Sequence, residues 1–191
     1  MSDKFTFNSA GQVHELELAI DRAGQWNAAL VKRMCEGDQL VHIREYLLNL
    51  AEIKPIEYLI DCDADPFVPK DWEVVEHQKG GRFKLDPKKV KLYLSKHQKD
   101  GGVIRGENLR KELAGKPVLN ANVLEYLLAN KHLIPEEWKG KLVFFWGTIY
   151  RGPRGHLSVR YLRWSGGEWY WYFYWLLNDW SSGGPAVLRA S

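Results

Sequence analysis

Residues 141–177 read KLVFFWGTIYRGPRGHLSVRYLRWSGGEWYWYFYWLL, and the period of their apolar positions decides the fold class. Three stretches, 142–150, 156–164 and 169–177, alternate in steps of two, which is the repeat of a β-strand. Between them lie Arg151-Gly152-Pro153-Arg154-Gly155 and Ser165-Gly166-Gly167-Glu168, both of hairpin length and hairpin composition. The stretch predicts an antiparallel meander of at least three strands. Residues 178–184 read as a loop, and 185–190 are expected to add a short edge strand.

Aromatic residues are concentrated here: the last 50 residues hold 14 of them and the other 141 hold 11. Alternation puts Trp169, Trp171, Phe173 and Trp175 on one face, and Tyr170, Tyr172, Tyr174 and Leu176 on the other. A strand that is large and aromatic on both faces is either sandwiched or leaves one face open for a ligand. Phenol edges tolerate water, so the Tyr face is expected to be the open one. On the neighbouring strand Ser158 and Arg160 share one face, while Tyr161 and Arg163 share the other. Arginine beside exposed rings suits single-stranded nucleic acid, with bases stacked on the rings and guanidinium groups on the phosphates. The expected ligand-binding residues are therefore Arg160, Arg163, Trp164, Tyr170, Tyr172 and Tyr174. Two other uses stay open at this level. An aromatic strip suits the C–H face of a sugar, and Trp and Tyr also serve as core and cross-strand pairs in a scaffold that meets only another protein.

Before residue 141 the period is helical. Ser9 and Gln12 stand at capping-box spacing, followed by Val13, Leu16, Ile20 and Ala23, with a stop at Gly24. Trp26, Leu30, Val31 and Met34 form a second stripe ending at Gly37. A third helix, capped by Asp38, would bury Leu40, Ile43, Leu47, Leu48 and Ala51 before Pro55. Three such helices predict a small bundle over 1–54. Pro55, Pro66, Pro69 and Gly80-Gly81 mark 55–85 as an irregular connector with short extended pieces. Asp86-Pro87 predicts a helix start, with Val90, Tyr93 and Leu94 inward and lysines elsewhere. A helix over 107–114, another capped by Asn120 and a turn after Pro135 complete a basic helical region at 86–140. The fold class is then α+β: a helical N-terminal and middle region, followed by a C-terminal antiparallel, aromatic-rich β-module at 141–191.

The formal net charge of +3 conceals an uneven distribution. Residues 1–69 hold 6 Lys/Arg against 12 Asp/Glu, residues 70–116 hold 13 against 7, and residues 117–191 hold 8 against 5. The acidic and basic segments either face each other or the basic part meets an anionic partner. No apolar run approaches the ~18 residues of a membrane-spanning helix. Met1-Ser2-Asp3-Lys4-Phe5 does not open a secretory signal, so a reducing, cytoplasmic setting is expected.

Catalytic and metal signatures are missing. Asp61, Asp63 and Asp65 begin a calcium-loop pattern, but Pro66 and Trp72 stand where that loop needs Gly and Glu. Cys35 and Cys62 are single thiols, the six histidines are scattered, and no nucleophile elbow or phosphate-cradling Gly loop occurs. The expectation is a non-catalytic protein with no metal and no cofactor, binding single-stranded nucleic acid or another protein.

Several motifs carry a family resemblance. They are VFFWGTIYR (143–151), LSVRYLRW (157–164), the aromatic run 169–176 and the ending PA…RAS. Upstream, IDCDADPFVP (60–69), LDPKKVKLYLS (85–95), LNANVLEYLL (119–128) and LIPEEWKG (133–140) belong to the same pattern. Over about 54–191 the chain resembles hypothetical proteins typical of candidate-phyla, Patescibacteria-type bacterial genomes. The resemblance implies a small bacterial, cytoplasmic protein and carries no activity or site residue with it.

Overall fold

The computed structural model describes residues 10–24, 26–52, 58–86 and 89–190. The chain divides into two units, Met1–Ile56 and Glu57–Ser191. The first contains helices α1 (Ala10–Ala23), α2 (Ala28–Met34) and α3 (Gln39–Leu47), where the three- and four-residue spacing places them. Asn27 caps α2, its side chain accepting from the Leu30 N–H at 3.0 Å. Asp38 occupies the N-cap of α3 without a side-chain capping bond. None of the residues of these helices is buried, and Leu40, Ile43, Leu47 and Leu48 are all exposed. That corrects the expected bundle core: short amphipathic helices offer too little apolar surface to enclose one another. The caps and stops expected at Ser9 and Pro55 lie outside the described residues.

Among its described residues the second unit has ten strands and two α-helices. The strands are β1 (Leu59–Asp61), β2 (Glu73–His77), β3 (Arg82–Lys84), β4 (Val90–Tyr93) and β5 (Ile104–Arg105). After them come β6 (Val143–Arg151), β7 (Leu157–Ser165), β8 (Glu168–Trp175), β9 (Asp179–Trp180) and β10 (Ala186–Arg189). The helices are α4 (Gly106–Leu113) and α5 (Ala121–Ala129), with a 3-10 turn at Glu136–Trp138. Asn120 caps α5 as its sequence position predicts, accepting from the Asn122 N–H at 3.2 Å.

The main sheet has six strands in the order β4-β10-β6-β7-β8, with β2 added on β6. The meander β6-β7-β8 is antiparallel as expected. Gly166 and Gly167 turn the β7–β8 hairpin with positive φ at both positions, 59° and 85°, the backbone a two-residue loop requires. The sheet as a whole is mixed, however. The 185–190 strand is not an edge: β10 lies between β4, which it pairs antiparallel, and β6, which it pairs parallel.

The lysine-rich helix expected from Asp86 is likewise replaced by strand β4; Pro87 and Lys88 lie outside the described residues. Val90, Leu92 and their neighbours also satisfy a period of two, and pairing of Ala186–Arg189 along β4 overrides the local helix signal. The α+β class stands, with the sheet larger and more mixed than the local pattern foretold.

Successive residues of the sheet enter two separate cores. Val143, Phe145, Leu162 and Val187 pack under α5, Trp138 and the β1/β3 pair. Phe144, Trp146, Ile149, Val159, Tyr161 and Leu188 pack under α4 with Ile104 and Trp180. Both faces are therefore covered over most of their extent, which is why the β6 pattern is buried at every position but its last. Gly147 lets α5 sit close, because a Cβ there would stand 2.9 Å from the Asn120 backbone. The register of β6 against β7 slips at this point. Between the pairs Phe144↔Tyr161 and Ile149↔Val159, β7 has one residue, Arg160, where β6 has four.

Candidate binding surface

The six residues expected to bind ligand fall on opposite faces of the sheet. Arg160 and Trp164 lie on the α5 face. Arg163, Tyr170, Tyr172 and Tyr174 lie on the α4 face, where the pairs Arg163↔Tyr170 and Tyr161↔Tyr172 set them side by side.

Arg160 is fully enclosed, at 0% exposure. Its guanidinium carbon stands 4.0 Å from the Trp171 ring centre, 5.3 Å from Phe67 and 5.9 Å from Tyr150. Glu125 of α5 places Oε1 2.5 Å from Nη2, an ionic contact whose angles form no hydrogen bond. This arginine ties α5 and the 62–72 connector to the sheet and does not reach solvent. Trp164 is half-buried, with Lys139 Nζ 4.1 Å over its ring. Tyr174 is also half-buried; its hydroxyl donates to the Asp179 carbonyl at 3.3 Å and its ring packs on Trp180.

The other three face water. Tyr170 is 48% and Tyr172 is 55% exposed, and Arg163 is exposed beside them. Arg163 donates to Ser165 Oγ at 3.2 Å and has no carboxylate partner among the described residues. Burial pushes the Tyr161 hydroxyl's pKa up, and the nearby Arg163 guanidinium partly offsets this.

β8 ends the sheet, so its outer edge has no strand partner among the described residues. Consecutive Tyr172 and Phe173 leave opposite faces, yet their rings stack at 4.9 Å and 11°, meeting around that edge. From Phe173 the ring path runs on to Trp72, with centres 4.6 Å apart. Trp72 is delivered by the connector, after Asp71 in the left-handed region at φ 62°, and rests on Gly152 and Tyr150. Together Trp72, Phe173, Trp175 and His156 line a slot of about 370 Å³, with Gly152, Pro153 and Arg154 of the β6–β7 loop beside them. His156 and Trp175 lie 5.3 Å apart. No carboxylate lines the slot, and Arg154 is exposed with no ion-pair partner among the described residues.

The slot was not legible as a site. Phe173 and Trp175 sit on what alternation marks as the core face, and Trp72 is isolated in a Pro-rich connector with no periodic signal. Arg151, by contrast, is spoken for by an ion pair with Glu73.

The other motifs have structural roles. Asp61 Oδ1 accepts from the Asp63 N–H at 2.9 Å, and Asp63 Oδ1 accepts from the N–H groups of Gly80 and Gly81 at 3.0 and 2.8 Å. His77 bridges Thr148 Oγ1 at 2.9 Å and the Cys62 carbonyl at 3.1 Å. Burial, with Asp63 and Asp61 nearby, pushes the Cys62 thiol up to about 11. Among the described residues no group of three or more His, Cys, Asp or Glu is arranged to hold a metal ion, and no helix is long and apolar enough to cross a membrane. No protein-family model, curated protein or solved structure matches this chain.

Proposed function

We propose that the open edge of the C-terminal sheet binds single-stranded nucleic acid without catalysis. The observation that carries the reading is the ring path Tyr172–Phe173–Trp72, the first pair stacked and the second edge to face, along a strand edge flanked by two arginines, with no strand partner for the edge and no carboxylate partner for either arginine among the described residues. Flat rings in succession present π-faces to successive bases, and Arg163 and Arg154 stand where backbone phosphates would pass. Arg160, Trp164 and Tyr174 support this surface from inside and do not touch the ligand. A sugar fits less well, because its hydroxyls need acceptors and the slot offers almost none.

The test is fluorescence anisotropy of a labelled single-stranded oligonucleotide at low salt. Binding should weaken steeply as salt rises, since phosphate contacts release condensed counterions. Arg163→Ala should weaken binding and flatten that salt slope. Tyr172→Ala should cost roughly 1–3 kcal/mol with little change in slope, because stacking is not ionic. Lys89 and Lys91 variants control for unspecific attraction to a polyanion. Absence of binding at low salt refutes the proposal.

A second reading, a protein-interaction element, is favoured by one observation confined to the first unit. Its apolar stripes, including Leu16, Leu30, Leu40 and Leu47, are formed on helices and left uncovered.

A further inference from the structure

Resting on the nucleic-acid reading, we propose that the Trp72–Trp175 slot is an end-binding site: it holds the terminal nucleotide of a single strand, with Arg154 on the terminal phosphate. Three observations lead there. The first is the course of the ring path. It starts on the exposed face at Tyr172, turns around the β8 edge through Phe173 and reaches Trp72. From Trp72 the next ring contact is Tyr150, which is fully buried, so the path leaves the surface there, and the His156–Trp175 pair lines the slot beside it. The β6–β7 loop, with Gly152, Pro153 and Arg154, stands at that end. Trp72 lies against the loop at Gly152, where a Cβ would sit 3.4 Å from the indole, so no gap separates the ring from this wall.

The second observation is size. At about 370 Å³ the slot is near the lower end for small-molecule sites. That is room for one nucleotide. The outer part of the path, by contrast, is an open strand edge along which a chain can run.

The third is charge. The slot's lining holds one cation, Arg154, together with His156, and no carboxylate. A cationic ligand of the kind held in aromatic cages would meet Arg154 unfavourably. A flat apolar body carrying a phosphate meets both features. A terminal phosphate monoester bears more charge than an internal diester and exposes three oxygens to a planar guanidinium, the geometry of a bidentate contact.

The experiment compares one oligonucleotide sequence in four labelled forms: circular, linear without terminal phosphate, linear with a 5′-phosphate and linear with a 3′-phosphate. Binding to the full chain is measured at low salt. One of the phosphorylated linear forms should bind about tenfold tighter than the circle, the gain expected of one charge-assisted bidentate contact. The two phosphorylated arms tell which end is taken. Arg154→Gln, on an exposed loop, should remove that preference, so that the phosphorylated linear forms bind no tighter than the circle. Tyr172→Ala should weaken circle and linear forms alike. Equal binding of circle and phosphorylated linear forms overturns the end-binding proposal and leaves the nucleic-acid reading standing. An end preference that ignores phosphate, or survives Arg154→Gln, overturns the role given to Arg154. No binding by any form overturns both readings together.

Discussion

Replacing Glu125 with Ala tests whether the enclosed Arg160 is held as a charge. Its guanidinium is fully buried, and among the described residues the only carboxylate at ionic distance is Glu125, 2.5 Å away. Removing one partner of a buried pair leaves an uncompensated charge and typically costs about 3–5 kcal/mol. Here the low end applies, for two reasons. The Glu125 side chain is 37% exposed, so the pair is partly screened already. Trp171, 4.0 Å from the guanidinium, keeps a desolvated cation–π contact of roughly 2 kcal/mol in the variant. The expected cost is about 3 kcal/mol, or a fall of about 10 °C in melting temperature for a unit of this size.

The reverse replacement should be milder. Arg160→Met fills the same channel with an apolar chain and leaves Glu125 able to turn to water, at a cost of about 1 kcal/mol. Adding Glu125→Ala to Arg160→Met should then cost almost nothing, giving a coupling of roughly 2–3 kcal/mol. Urea unfolding followed by tryptophan emission reads all three variants, because every tryptophan but Trp26 lies in the second unit. Additive losses, or a Glu125→Ala variant as stable as the parent, would refute the account of Arg160 as a charged tie between helix and sheet.

Two further outcomes follow from the packing. Glu112 accepts from Tyr93 and Ser95; burial alone would raise its carboxyl, but those hydrogen bonds hold it below its ordinary value. A depressed carboxyl contributes stability above its unfolded pKa and loses it as pH falls through the folded value, so Tyr93→Phe should cost about 1 kcal/mol near neutrality and progressively less in acid. A penalty that is constant with pH would exclude this linkage. Gly147→Ala should destabilise the second unit by roughly 1–3 kcal/mol, since its Cβ meets the Asn120 backbone at 2.9 Å, and differential scanning calorimetry should show the loss. An unchanged melting temperature would mean that α5 does not sit against β6 as described.

What could be read from the sequence was local. The strands β6, β7 and β8, the Gly166-Gly167 turn, the Asn120 cap and the helix at Gly106–Leu113 all declare themselves within a few residues. Alternation, capping and turn chemistry are short-range properties of the backbone, so one segment contains all the information they need. The identity of the two faces of β7 was legible for the same reason, and Arg160 and Arg163 do point opposite ways.

What covers each face was not legible, because it depends on distant segments. Arg160 is buried since Phe67 and Glu125, far away in the chain, close over it. β4 is a strand because β10 lies beside it, nearly a hundred residues later, and its lysines do not forbid either period. Trp72 becomes part of a slot only because the connector lays it on Gly152 and Phe173. A strand's alternation says that two faces exist. Only long-range packing decides which is core and which is open, and so turned an expected platform of six residues into a narrower strip ending in a slot.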